Sequence, residues 1–323
     1  MPVLNVAIVQ HPPVFLNLAE SVRRAASLVA EAAAKGATII VFPEAWLPGY
    51  PVWLDEAPGA ALWDHSPSAA LFRRLFDNAV ALNGPEIARL RELADDLEVE
   101  IVLGLHERHG ASLYNSVVRL APAATPAIHR KIMPTHGERL IWAAADGSTL
   151  DAWETSLGPM GALICWEHWM PLARAAMHAQ HEAVHFALWP AVGELHLLNS
   201  RHYAFEGQCF VVAAGCVLTR DDVLAGFDSG PPDPLARSML ETIPAERQQL
   251  KAGGSAVIGP DGAVIASAGS DPATLHASID LDRLAEGRML LDTAGHFSRP
   301  DIFELSVDRR VAPGVRFTDP SWP

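Results

Sequence analysis

VLNVAIVQHPPVFLNLAESVRRAASLVAEAAAKGATIIVF, residues 3–42, is the stretch that decides the fold. Val3–Gln10 is an apolar run of strand length. Across Asn17–Lys35, Leu18, Val22, Ala25, Val29 and Ala32 recur at helical spacing until Gly36 closes the run, and Thr38–Phe42 reads as a second strand. The pattern returns downstream, with a helix over Gly84–Leu97 and strands over Glu100–Glu107 and Ser112–Leu120. Further on, Ala183–Trp189 reads as a strand, Glu194–Gln208 as a helix and Phe210–Gly215 as a strand. Ser255–Ala268 reads as a hairpin turning at Pro260-Asp261-Gly262. Helices alternating with buried strands predict a layered α/β fold. No linker and no repeat of solenoid length divides the chain, so residues 1–323 are expected to form a single domain. Leu47–Pro67 and Asp221–Gln249 read as surface insertions, and a tail is expected near 290–323.

Half of the chain is hydrophobic, enough to bury a large core, which excludes disorder. With 38 acidic against 24 basic residues the formal charge is −14, and no basic patch interrupts it, so nucleic acid is not an expected partner. The opening MPVLNVAIVQ has no basic n-region, and no stretch is long and apolar enough to span a bilayer; a cytoplasmic location is expected, with no membrane partner. Three cysteines, Cys165, Cys209 and Cys216, fit a reducing compartment better than a disulfide framework.

Cys165 carries the most chemical information. The run GALI delivers it to a turn holding Trp166, Glu167, His168 and Trp169, ahead of the helix-like MPLARAAMHAQ. A sulfur raised at such a strand-to-helix junction lies where open α/β sheets carry their sites. VFPEAWLPGYP places Glu44 just after a strand, and HRKIMPTHGERLIW supplies Lys131 and Glu138. Together they offer a base, a fixed cation and a nucleophile, the parts that cysteine acyl transfer requires. Singly, each has an ordinary structural reading: Glu44 a cap, Lys131 a solvated surface residue, Cys165 a small buried hydrophobe.

These strings, with VAIVQ at the start and GHFSRPDIF near the end, resemble the nitrilase branch of the carbon–nitrogen hydrolase superfamily over nearly the whole chain. The resemblance implies a four-layer α-β-β-α sandwich that dimerises across helices and extends in some members into spiral homo-oligomers. It implies a catalytic triad of Glu44, Lys131 and Cys165, with Glu138 as a second active-site glutamate, and no cofactor. It also implies that Trp142, Trp166, Trp169, Trp189 and Pro190 line or border the substrate cleft. Tyr50 belongs to the same aromatic cluster as a substrate-binding candidate. His168 stands where many members have Asn after CWE, so it is read as a residue that tunes specificity. The implied reaction converts an organic nitrile to its acid and ammonia through a thioimidate and then a thioester on Cys165. Arylaliphatic or aliphatic nitriles are expected in preference to hydrogen cyanide.

Other readings stay open at this level. An amidase or N-carbamoyl amidohydrolase would use the same machinery. His181-Glu182-Ala183-Val184-His185 matches H-E-x-x-H, a zinc motif when helical, yet Val184–Trp189 carries a strand pattern and no metal is expected. Cys165 and His168 could form a protease-type pair, which would leave Glu44 and Lys131 idle. A catalytically silent scaffold is the remaining alternative. No G-x-G-x-x-G fingerprint or P-loop is present.

Overall fold

The computed structural model describes residues 3–312. The chain opens with β1 (Val3–Gln10), α1 (Leu18–Ala34) and β2 (Ile39–Val41), within two residues of the sequence reading. Asn17 caps α1 by accepting from the Glu20 N–H, and the helix buries Val22, Ala25, Val29 and Ala32, as their spacing predicts. α2 (Trp53–Glu56), α3 (Ser66–Asp77) and α4 (Pro85–Leu97) lead to β3 (Glu100–His109), β4 (Ser112–Leu120) and β5 (Ala127–Arg130). The second half begins with β6 (Met160–Ile164), α5 (Pro171–His178), β7 (Val184–Leu188), α6 (Glu194–Gly207) and β8 (Phe210–Ala214). It continues through β9 (Val217–Thr219), α7 (Arg220–Asp228), α8 (Pro234–Glu241) and β10 (Gln249–Ala252). β11 (Ala256–Ile258), β12 (Val264–Ser267), β13 (Ala273–Asp280) and α9 (Arg283–Leu290) complete it.

Two sheets carry the fold, ordered β13-β1-β2-β3-β4-β5 and β12-β11-β8-β7-β6, with β9 and β10 forming a separate ribbon. β1, β2 and β3 run parallel, as do β6, β7 and β8, and antiparallel strands extend both sheets outward. Alternation along β1 sorts its side chains. Val6 and Ile8 join one core with Ile164, Phe186 and Val212 of the second sheet, whereas Ala7 and Val9 join another with α1 and α4. α5 and α6 cover the far face of the second sheet through Met177, Tyr203 and Ala204. The result is the expected α-β-β-α sandwich, and parallel strands buried on both faces explain why the sequence shows continuous apolar runs.

The two stretches read as surface insertions are mixed, each sending some apolar side chains into the core while much of its length faces solvent. Leu47, Tyr50, Val52 and Trp53 are buried in the core beneath α1, and α7 and α8 add Phe227, Met239 and Leu240 to it. Prolines and glycines suggested loops here, but they shape the backbone while the apolar residues between them turn inward. Asp55 and Pro58 already face solvent, and Leu62 and Trp63 are exposed large apolar residues. Residues 313–323 of the expected tail lie outside the described residues. No helix among the described residues is long and apolar enough to cross a membrane.

Candidate active site

Glu44, Lys131 and Cys165 each follow the end of a strand, and the two sheets bring them together. Glu44 leaves β2 on a segment pressed against β3, where a Cβ on Gly104 would collide with Pro43 O and lie 2.8 Å from Ala45 N. Phe42 N–H donates to Val102 O at 2.8 Å and Leu47 N–H to Gly104 O at 3.1 Å, fixing this crossing on either side of Glu44. Lys131 follows β5, its N–H donating to Asn115 O at 2.8 Å. Cys165 follows β6 and opens a 3-10 turn, Cys165–Trp169, with a left-handed φ of 51°. A non-glycine residue there costs on the order of 1 kcal/mol, which the surrounding contacts must offset.

The side chains converge on the Lys131 ammonium. Its Nζ donates to Glu44 Oε1 at 2.8 Å and to Glu138 Oε2 at 2.7 Å. Glu138 is held in turn by Tyr50, whose hydroxyl donates to Oε1 at 3.0 Å, and by the Thr135 N–H, which donates to Oε2 at 2.7 Å. Asn115 Nδ2 donates to Glu44 Oε1 at 2.7 Å, while Glu44 Oε2 is buried without a hydrogen-bond partner among the described residues. Glu44, Lys131, Glu138 and Cys165 are each 5% exposed or less, so water screens their charges poorly.

Burial raises the Glu44 carboxyl to about 7, against the opposing pull of Lys131. Burial also works against the Lys131 ammonium, but the Glu44 and Glu138 charges, with the hydrogen bond to Glu138, outweigh it and hold the lysine protonated. For Cys165, burial and the Glu44 charge push the thiol well above its usual range, with Lys131 offsetting only part. The resting sulfur is therefore a thiol with a carboxylate of near-neutral pKa in its surroundings, so proton removal must accompany attack.

Residues 5–289 match the carbon-nitrogen hydrolase family. The chain belongs to that family. It is 36% identical to a nitrilase of Pseudomonas syringae pv. syringae strain B728a, over 97% of this chain and 92% of that one. It is 35% identical to a bifunctional nitrilase/nitrile hydratase of Lupinus angustifolius, over 99% and 90% of the two chains. An aliphatic nitrilase of Rhodococcus rhodochrous is 33% identical over 95% and 83%. These relatives place this carbon-nitrogen hydrolase in the nitrilase branch. Its fold superposes on the C. elegans NitFhit protein with a TM-score of 0.70, at 18% identity, covering 97% of this chain and 69% of that one.

The candidate active-site cavity of this carbon-nitrogen hydrolase has a volume of about 410 Å³ and reaches Cys165 and Glu138. Of the substrate-binding candidates, Tyr50, Trp166 and Pro190 line it, together with Asp55, His136, His196 and Lys251. Trp142, His168, Trp169 and Trp189 do not. Trp142 is buried behind Tyr50 and donates to His106 Nδ1 at 3.0 Å. Trp189 donates to Ser200 and stacks on the buried His168, and Trp169 packs against both Trp166 and Trp189. The wall next to the chemistry is thus less aromatic and more polar than the tryptophan count suggested.

Two contributors escaped the sequence reading. Asn115 lies inside β4, where one polar residue in a strand gives no sign that register carries it to Glu44. Glu167 is a buried strut whose carboxylate accepts from Ile164 N, Ile132 N and His129 Nε2, at 2.7, 2.7 and 2.9 Å. It ties the residue before Cys165 to the residue after Lys131. The glutamate of CWE therefore joins the ends of two edge strands, β5 and β6, in different sheets. The H-E-x-x-H string is not helical: His181 is an exposed turn residue with φ 56°, and His185 lies in β7, so the two imidazoles share no helix face. Cys209 and Cys216 are buried free thiols.

Proposed function

We propose that the protein hydrolyses organic nitriles to carboxylic acids and ammonia through covalent intermediates on Cys165. The observation that carries this reading is the half-free Glu44 carboxylate: Oε1 is held by Lys131 and Asn115, and Oε2 is unpartnered within a buried site that includes Cys165. Oε2 takes the thiol proton as sulfur attacks the nitrile carbon, and that proton passes to the nitrogen to give a thioimidate. The Lys131 ammonium donates to the negative charge developing on nitrogen. Water then adds with Glu44 as base, the nitrogen leaves as ammonia, and a thioester remains. A second water, activated in the same way, releases the acid and restores the thiol. Glu138 holds Lys131 in place, and Trp166, Tyr50 and Pro190 supply the apolar contact for the substrate.

Amide arises when the tetrahedral species expels the thiol instead of ammonia, a branch in keeping with similarity to a bifunctional nitrilase/nitrile hydratase. An amidase reading shares the acyl-enzyme, but the relatives at 33–36% identity are nitrilases by name. A cavity of about 410 Å³ fits an aliphatic or arylaliphatic nitrile better than hydrogen cyanide. Three free thiols support a reducing, cytoplasmic setting. Exposed Leu172 on α5 with Leu195 and Leu198 on α6 supports self-association into dimers through the outer helical layer, with spiral assembly as its extension.

Matched nitrile and amide pairs test the reading, with ammonia, acid and amide measured together. Nitrile turnover should exceed amide turnover, and Cys165→Ala should remove both while the fold persists. Faster acid production from the amide would transfer the assignment to an amidase. A panel in which only cyanide turned over would overturn the substrate class.

A further inference from the structure

Beneath the nucleophile runs a file of buried polar side chains that the reaction does not use directly. His168 Nδ1 lies 2.8 Å from the carbonyl oxygen of Cys165, and His168 Nε2 lies 3.0 Å from His185 Nε2. His185 Nδ1 lies 2.7 Å from Glu182 Oε1, and Tyr203 donates its hydroxyl to Glu182 Oε2 at 2.6 Å. His168, His185, Glu182 and Tyr203 are 1% exposed or less, so each contact must be a satisfied hydrogen bond. Glycine makes the room: a Cβ at Gly161 of β6 would collide with the Glu182 carboxylate. Stacking of His168 on Trp189 and of His185 on Tyr203 fixes both ring planes.

Proton counting along the file leaves little freedom. A carbonyl only accepts, so His168 Nδ1 carries a hydrogen; a neutral His168 then has a bare Nε2, and His185 must donate from its own Nε2. When His185 is also neutral its Nδ1 is bare, and the partner facing it is a carboxyl group, which can donate only in its protonated form. Burial favours this arrangement at every step. It raises Glu182 to about 7 and, with unfavourable neighbouring histidine charges, presses His168 and His185 well below the usual imidazole range. The groups facing Glu182 are His185 of β7, Tyr203 of α6, His178 of α5 and Cys209 ahead of β8. His178 in turn meets Glu206, which also accepts from Arg174.

We propose that Glu182 and His185 are positioning residues: a protonated Glu182, acting through His185 and His168, fixes the Cys165 carbonyl and with it the left-handed backbone that presents the sulfur. The proposal rests on Cys165 being the nucleophile. It gives a role to the two H-E-x-x-H residues that form no zinc pair, and it makes His168 a link in a backbone clamp in place of a substrate contact.

Nitrogen-15 spectra of histidine-labelled wild-type protein near pH 6, below the Glu182 value of about 7, test the proton inventory without a variant. The expected signature is neutral Nδ1–H His168 with neutral Nε2–H His185; a bare Nδ1 on His168 or an imidazolium at His185 would overturn the proposal. Kinetics on the intact enzyme supply the second arm. E182L keeps bulk but removes the donor, and should lower kcat at least about tenfold with KM within about twofold. Glutamine donates through Nε2 and accepts through Oε1, so E182Q should restore kcat to within about threefold of wild type. Equal losses in E182L and E182Q, or no loss in E182L, would contradict the relay. Wild-type nitrile turnover is measured alongside: its absence would refute the hydrolase reading, whereas the spectra judge the relay on their own.

Discussion

The side chain of Asn115 donates at 2.7 Å to Glu44 Oε1, the same oxygen that Lys131 holds at 2.8 Å, so Oε2 is the carboxylate oxygen left without a partner among the described residues. Asn115 therefore helps to decide which carboxylate oxygen is free for the base role proposed for Glu44. Asn115→Ala removes one of two restraints and should lower kcat about tenfold, the worth of one well-placed buried hydrogen bond, with KM little changed. Asn115→Asp should be worse, since another carboxylate beside Glu44 would raise its pKa further. Steady-state kinetics on both variants check the order.

The pH profile follows from the burial of Glu44. A base must be ionised to act, and this carboxyl is raised to about 7, so kcat/KM should climb with pH up to neutrality; above it, ionisation of Glu182, also raised to about 7, should release the backbone clamp and turn the profile down. An ordinary carboxylate would place the rise near its usual value of about 4.3. A profile already flat between pH 5 and 7 would remove Glu44 from the base role. Glu44→Gln should abolish turnover over the whole range.

Tyr50 serves two functions, lining the cavity and donating at 3.0 Å to Glu138 Oε1. Tyr50→Phe keeps the ring and deletes the donor, leaving a buried acceptor short at a cost of about 1–3 kcal/mol. Thermal denaturation should show a lower Tm. kcat/KM should fall about tenfold as Lys131 loses part of its support.

Gly104 permits the crossing that aims Glu44. Gly104→Ala forces β3 away from Pro43 and Ala45, and the expected cost is about 1–3 kcal/mol of overpacking. Activity should fall further than this stability loss alone explains, because the displaced segment carries the base. Comparing residual activity with the folded fraction in urea separates the two effects.

Glu167 supports the site from below. Removing its charge in Glu167→Gln leaves His129 facing a neutral amide in the interior and replaces an acceptor that serves three donors. Breaking such a buried pair costs about 3–5 kcal/mol, measurable as a shift of the urea midpoint.

What could be read in advance follows a physical division. The strands announced themselves because β1, β7 and β8 are buried on both faces and need unbroken apolar runs. Glu44, Lys131 and Cys165 stand just past strand ends, where a polar residue interrupts such a run visibly. Asn115 was hidden because strand register, which no local pattern encodes, carries it to Glu44. Within Leu47–Pro67, Pro48, Gly49 and Pro51 mark turns without showing that Leu47, Val52 and Trp53 point inward while Leu62 and Trp63 point out. His168 lies three residues from Cys165 yet meets its carbonyl oxygen and not its sulfur, and Trp189 stacks on the far side of that contact, against His168. Only side-chain direction separates the two.

Glu44 and Lys131 hang from the first sheet, whereas Cys165 hangs from the second. The gap between sulfur and base is therefore a gauge of how closely the sheets sit, set by residues such as Val6, Ile8, Val102 and Phe186 in the core between them. Heat or pressure that loosens this seam is expected to separate the proposed nucleophile from its base before the strands melt. Inactivation of this enzyme is then a measure of delamination, and catalysis reports the integrity of the sandwich more finely than its secondary structure does.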